Sequence, residues 1–99
     1  MPQFIVIGKD ATDAEAPARR AAARDAHIKM VEEKHAKGEQ LMGAAMLDDD
    51  GNMIGSVMTV DFPSREALDE WLAAEPYVLQ KVWQNIEIIP CKIPPVFLK

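Results

Sequence analysis

QLMGAAMLDDDGNMIGSVMTVDF, residues 40–62, is the stretch whose reading decides the fold. Gln40 to Leu47 and Met53 to Phe62 are apolar runs too short for separate helices, and Asp48 to Asn52 between them is a cluster of turn-forming residues. Two short apolar runs around such a cluster read as a β-hairpin. Upstream, Gly38 is a natural helix stop, and the alanine-rich segment before it, with Pro17 in its first turn, predicts one long helix ending at Lys37. A polar loop at Lys9 to Asp13 separates that helix from Gln3 to Gly8, a brief run of Phe, Ile and Val that reads as a first strand.

Downstream of the hairpin, Pro63 and Ser64 open an amphipathic helix that ends near Ala74. Leu68, Trp71 and Leu72 share its inner face, and Ser64 is placed to cap the first amides. Glu75-Pro76-Tyr77 starts a separate turn or short helix, because proline disfavours helical geometry at the residue before it and suits a first helical position. A last strand follows at about Trp83 to Ile89. The order β-α-β-β-α-β is that of the ferredoxin-like α+β arrangement, an antiparallel sheet with both helices on one face.

Two helices cover one face of a sheet, yet Phe4 to Ile7, Leu41 to Leu47 and Ile86 to Ile89 are apolar on both. The simplest cover for the second face is the sheet of another copy, which predicts a homodimeric α/β barrel and leaves higher oligomers built from dimers open. The tail Ile93 to Leu98 is expected to reach across that interface as an extended arm.

Composition narrows the function. A chain of 99 residues, 48% of them hydrophobic, supports a single domain, 1–99, with one core. The net charge of −5 and the pI near 4.9 disfavour nucleic acid and anionic membrane surfaces, which select a basic face. Apolar runs far shorter than a membrane span, with no basic-then-apolar opening, predict a cytoplasmic protein. Cys91 is the only cysteine, so neither an intrachain disulfide nor a thiolate zinc site is expected.

No metal and no organic cofactor are expected either. Asp48-Asp49-Asp50-Gly51 lacks the alternate spacing and downstream glutamate of a calcium loop, and no glycine-rich phosphate loop occurs. His27 and His35 lie on one helix roughly 12 Å apart along its axis, too far to share an ion. His35 is expected at the surface, and the six methionines are read as core filling.

Several segments together resemble the YCII-related family. Arg24-Asp25-Ala26-His27 fits its Arg-x-x-His pattern in the first helix. Gly38 with Leu41, Met42 and Gly43 looks like its following glycine and leucine segment. Asp49-Asp50-Gly51 with Ile54-Gly55-Ser56 resembles its hairpin, and Glu75-Pro76-Tyr77-Val78 its Asp-Pro-aromatic element. The similarity spans about residues 3–90, with 91–99 as a C-terminal extension. It implies a dimeric α/β barrel related to muconolactone isomerase-like proteins, with a His-Asp pair in a pocket of each subunit. The acidic member here is Glu75, whose extra methylene changes the reach of the pair.

His27 is the leading catalytic candidate, because an imidazole both takes and gives a proton near neutral pH. Arg24 at i−3 and Arg20 at i−7 lie on the same side of the helix and would bind an anionic group of a substrate. Glu75, one turn past Trp71 and Leu72, would point inward with them if the second helix continued, and would orient the His27 ring. Ser56 and Tyr77 are further candidates for the pocket wall, as a hydrogen-bond donor and a closing ring.

Three functions fit these residues. The first is a small-molecule enzyme in which His27 and Glu75 perform acid-base chemistry of the isomerase, lyase or dehalogenase kind on a small organic anion. The second is a non-catalytic dimeric module that binds a small acidic metabolite. The third is a structural partner domain that docks through its tail.

Overall fold

The computed structural model describes residues 2–98. Its elements are β1 (Gln3–Asp10), α1 (Ala16–Ala36), β2 (Gln40–Leu47), β3 (Met53–Asp61), α2 (Arg65–Ala74), α3 (Pro76–Leu79) and β4 (Trp83–Cys91), followed by a 3₁₀ turn at Pro95–Phe97. The strands form one antiparallel sheet in the order β2-β3-β1-β4, the ferredoxin-like arrangement.

Local chemistry explains each boundary. The 21-residue α1 ends in a Schellman motif: Gly38 takes a left-handed φ of +74°, its N–H donates to the His35 carbonyl, and the Glu39 N–H donates to the Lys34 carbonyl. The Ser64 hydroxyl caps α2 by accepting from the Ala67 N–H at 3.1 Å. At the far end of α2 the helix does not continue inward. Pro76 drives Glu75 to extended backbone, φ −67° and ψ 124°, so this one residue both closes α2 and opens α3.

The sheet has two unlike faces. Phe4 and Val6 on β1 pair with Val60 and Met58 on β3, all four buried, and Phe62, Leu68, Trp71 and Tyr77 complete the core from above. On the opposite face Ile5 neighbours Thr59 and Ile89, and Ile7 neighbours Val57, with no layer of the described residues over them. Ile89 and Met42 on that side are exposed. Apolar side chains alternate onto both faces, and the helices cover one.

Two features depart from the sequence expectations and matter for the site. Strand β1 runs on through Lys9 to Asp10, where the expected loop would begin, and its pairing with β4 shifts register between those two residues. The tail is not wholly extended: Pro94 and Pro95 lead into the 3₁₀ turn, and Val96 and Phe97 stand exposed.

Candidate active site

A cavity of about 230 Å³ opens between α1 and the end of the sheet formed by β2 and β3. Arg20, Arg24, His27, Ser56 and Tyr77 all line it, and Glu75 lies directly behind His27. Thus the side chains anticipated from sequence gather in one place, delivered by α1, β3 and the α2–α3 junction.

The pair at the centre is closely built. His27 Nδ1 meets Glu75 Oε1 at 2.5 Å, and the same oxygen accepts the Tyr77 N–H at 3.1 Å. The second contact follows from the proline: with Glu75 in extended backbone, its carboxylate folds over the exposed first amide of α3 as a helix cap. Glu75 is wholly buried, and its Oε2 has no partner among the described residues. With Nδ1 as the donor in this contact, the Nε2 lone pair faces the other side of the ring. Nε2 makes no hydrogen bond among the described residues.

The ring cannot swing. Tyr77 stacks on His27 with centroids 3.8 Å apart and planes inclined by 8°. The Trp83 indole meets both rings edge-on. Gly8 makes room for that indole, since a Cβ there would come within 2.5 Å of ring carbon Cδ2 of Trp83. Burial pushes the Tyr77 phenol above its ordinary value, with Arg20 and Arg24 pulling the other way, so it stays protonated as a hydrogen-bond donor.

The two arginines separate in role. Nη1 of Arg20 donates to both carboxylate oxygens of Asp10, at 2.9 and 2.7 Å, and Nη2 donates to Ser56 Oγ at 3.2 Å. Its guanidinium also lies 4.9 Å from the centre of the Tyr77 ring. Arg20 is therefore buried, charge-balanced and structural in its contacts. Arg24 is exposed, lines the cavity, and has no ion-pair partner among the described residues. Ser56 accepts from Arg20, which leaves its own O–H to donate.

Three residues of the site are absent from the sequence reading. Asp10 lies in the segment read as loop. Trp83 reads as an ordinary strand residue, and its role depends on the gap over Gly8. Gln40, the first residue of β2, lines the cavity with its amide buried. His35, at the surface as expected, has its Nδ1 at 2.8 Å from the Gln40 carbonyl oxygen. No helix of the described residues is long and apolar enough to cross a membrane.

Comparison with known proteins sets this geometry in context. The chain is 27% identical over 95 residues to Protein YciI of Escherichia coli O6:H1 and to that of Shigella flexneri, with 90% of this chain and 95% of the relative covered. Among solved structures it is similar to the 5-chloro-2-hydroxyhydroquinone dehydrochlorinase TftG of Burkholderia phenoliruptrix in complex with 2,5-dihydroxybenzoquinone. The TM-score is 0.78 at 18% identity, covering 95% of this chain and 97% of the other. At that identity the likeness is one of fold. The model of the YCII-related domain matches residues 3–92, from β1 past the end of β4 with every site residue inside, and the chain belongs to the YCII-related family.

Proposed function

We propose that this chain is a cytoplasmic, homodimeric small-molecule enzyme in which His27, held by Glu75, moves a proton on a small organic anion bound at Arg24. The observation that carries the reading is the buried His27–Glu75 pair, with Nδ1 engaged at 2.5 Å and Nε2 without a partner among the described residues, in a residue of the cavity wall. That is the arrangement of a positioned general base.

In this mechanism Arg24 anchors the anionic group and Nε2 takes a proton from the adjacent carbon or hydroxyl. Glu75 balances the charge the ring gains. Tyr77 and Ser56 supply O–H donors for negative charge developing on the substrate. Return of the proton elsewhere gives isomerisation, and departure of a leaving group gives elimination or dehalogenation. The cavity lies below the roughly 300 Å³ at which pockets for drug-sized ligands begin, so the substrate is a small one. A dehydrochlorinase with this fold, whose bound ligand is a hydroxylated quinone, supports a substrate of single-ring size. The uncovered apolar face of the sheet supports the dimer, with higher oligomers as its extension.

The test is a panel of small hydroxylated ring acids and quinols, halogenated and not, incubated with the protein in D₂O and followed by NMR for exchange, isomerisation or halide release. Turnover by the wild type should fall about 10²- to 10⁴-fold in His27→Gln while binding persists. Binding without turnover in the wild type would make the chain a carrier or sensor of such anions. In Glu75→Gln, long-range ¹H–¹⁵N spectra should show the ring leaving the single Nδ1–H tautomer. An unchanged tautomer would remove Glu75 from the mechanism.

A further inference from the structure

Gln40 opens β2 on the helix-facing side of the sheet, paired across with Val60, and its side chain lines the cavity. It is 3% exposed, and its Oε1 is sealed and has no hydrogen-bond partner among the described residues. Nor does Nε2 bond to any described residue. A primary amide offers two donors and an acceptor, and an acceptor sealed from solvent with no partner is rare in a native fold because the lost hydration is not replaced. The backbone explains why the residue is held where it is, since its carbonyl oxygen lies 2.8 Å from His35 Nδ1. It does not explain the amide. A leucine or methionine would fill the same volume without the penalty.

The remaining polar groups of the wall are mostly donors. Arg24 and Arg20 donate only, and the Ser56 hydroxyl already accepts from Arg20. An anion satisfies donors, but nothing of purely anionic character satisfies an amide oxygen. Rotation about the last torsion of Gln40 exchanges oxygen and nitrogen and breaks no protein hydrogen bond, because neither atom makes one. The cavity can therefore present an acceptor at no cost in existing contacts.

We infer that Gln40 is a specificity-determining residue whose amide oxygen accepts a hydrogen bond from a hydroxyl of the ligand, so that the site selects hydroxylated organic anions over their deoxy counterparts. This rests on the proposed function above and narrows its substrate class. The physical basis is the asymmetry of buried polar recognition. A ligand lacking the hydroxyl leaves the amide unpaired on binding, whereas an apolar wall discriminates weakly between the two.

The experiment measures dissociation constants of benzoate and of 2-, 3- and 4-hydroxybenzoate by NMR shift perturbation, with wild type, Gln40→Leu, Gln40→Met and Arg24→Ala. In the wild type at least one hydroxybenzoate should bind about tenfold more tightly than benzoate. Both Gln40 variants should lose that preference to within about twofold while binding benzoate as well as the wild type or better, which also reports that they are folded. Arg24→Ala should weaken all four ligands together. A preference that survives in Gln40→Leu and Gln40→Met, or a wild type that binds all four alike, overturns the role of Gln40 and leaves the anion site standing. A wild type that binds none of the four, or an Arg24→Ala that binds all unchanged, removes the anion site and the inference with it.

Discussion

Arg19 and Arg20 are neighbours on α1, and each is tied to an aspartate of the segment before it, yet the two pairs are unlike in every consequence. Arg19 has the better geometry: a two-pronged fork on Asp13, with contacts of 2.8 and 2.7 Å. Arg20 meets both oxygens of Asp10 through a single nitrogen. The side chains of Arg19 and Asp13 are 31% and 50% exposed, whereas those of Arg20 and Asp10 are each 10% exposed. A fork in water gains little, because solvent screens the charges and ordering long side chains costs entropy. A poorer contact out of water is strongly coupled, because water cannot screen it and neither side chain has another charged partner among the described residues. Burial, not bond geometry, decides which pair the fold depends on.

The widest separation is expected in stability. Arg20→Met should destabilise the protein by about 3–5 kcal/mol in urea unfolding, because it leaves the Asp10 carboxylate, its side chain 10% exposed, without its cation. Arg19→Met should lower the midpoint of unfolding by much less, because water already screens the exposed fork. Replacing both members, as Asp10→Leu with Arg20→Met, should recover most of the loss, since an apolar pair avoids the desolvation penalty altogether. Equal losses for Arg19→Met and Arg20→Met would mean that the fork geometry matters more than burial.

The next effect is read at Tyr77, the only tyrosine in the sequence, so tyrosinate absorbance reports it alone. Burial raises its pKa above the ordinary 10.0, and Arg20 is the larger of the two nearby cations opposing that rise. Arg20→Met should therefore move the ionisation to still higher pH, and Arg19→Met should not move it. The raised value also fixes a sign for stability. The folded state holds the proton longer than the unfolded one, so this contribution is complete below about pH 10 and is lost as pH climbs through the folded pKa. A phenol that ionises like a free tyrosine would mean that the ring is not packed between His27 and Trp83 as described.

Helical spacing made both Arg20 and Arg24 legible as neighbours of His27, and the resemblance of Glu75-Pro76-Tyr77-Val78 to the Asp-Pro-aromatic element of the YCII-related family made the acidic partner legible. What spacing does not carry is which arginine is spent. That depends on Asp10, at the end of a strand that outruns its apolar residues after a register shift, where the local signal is only Lys-Asp-Ala-Thr-Asp. Nor does periodicity carry the direction of Glu75. It places the residue inward only on a continuing helix, whereas the carboxylate reaches His27 because the helix breaks and the side chain caps the next one. The element order and the core were legible because apolar pattern and turn residues agree. Gln40 was hidden because a polar residue opening an edge strand looks like any other strand end.

The smallest effect belongs to the exposed fork and is the cleanest measure of it. Arg19, by its hydrogen bonds first and its charge second, lowers the Asp13 pKa from 3.8 to about 2. A depressed carboxylate stabilises the fold above the unfolded pKa and loses that contribution as pH falls toward the folded one, so the fork should be felt above about pH 4 and vanish near pH 2. In Arg19→Met the Asp13 side-chain ¹³C titration should return toward 3.8, and the midpoint of unfolding at neutral pH should fall only slightly, because solvent screens a pair this exposed. Added salt should reproduce part of the same shift in the wild type, because charges this exposed are screened within a Debye length of about 8–10 Å. An Asp13 titration indifferent to both would mean that the Glu15 N–H, which also donates to its carboxylate, holds the group down, and the contrast between neighbouring arginines would then rest on Arg20 alone.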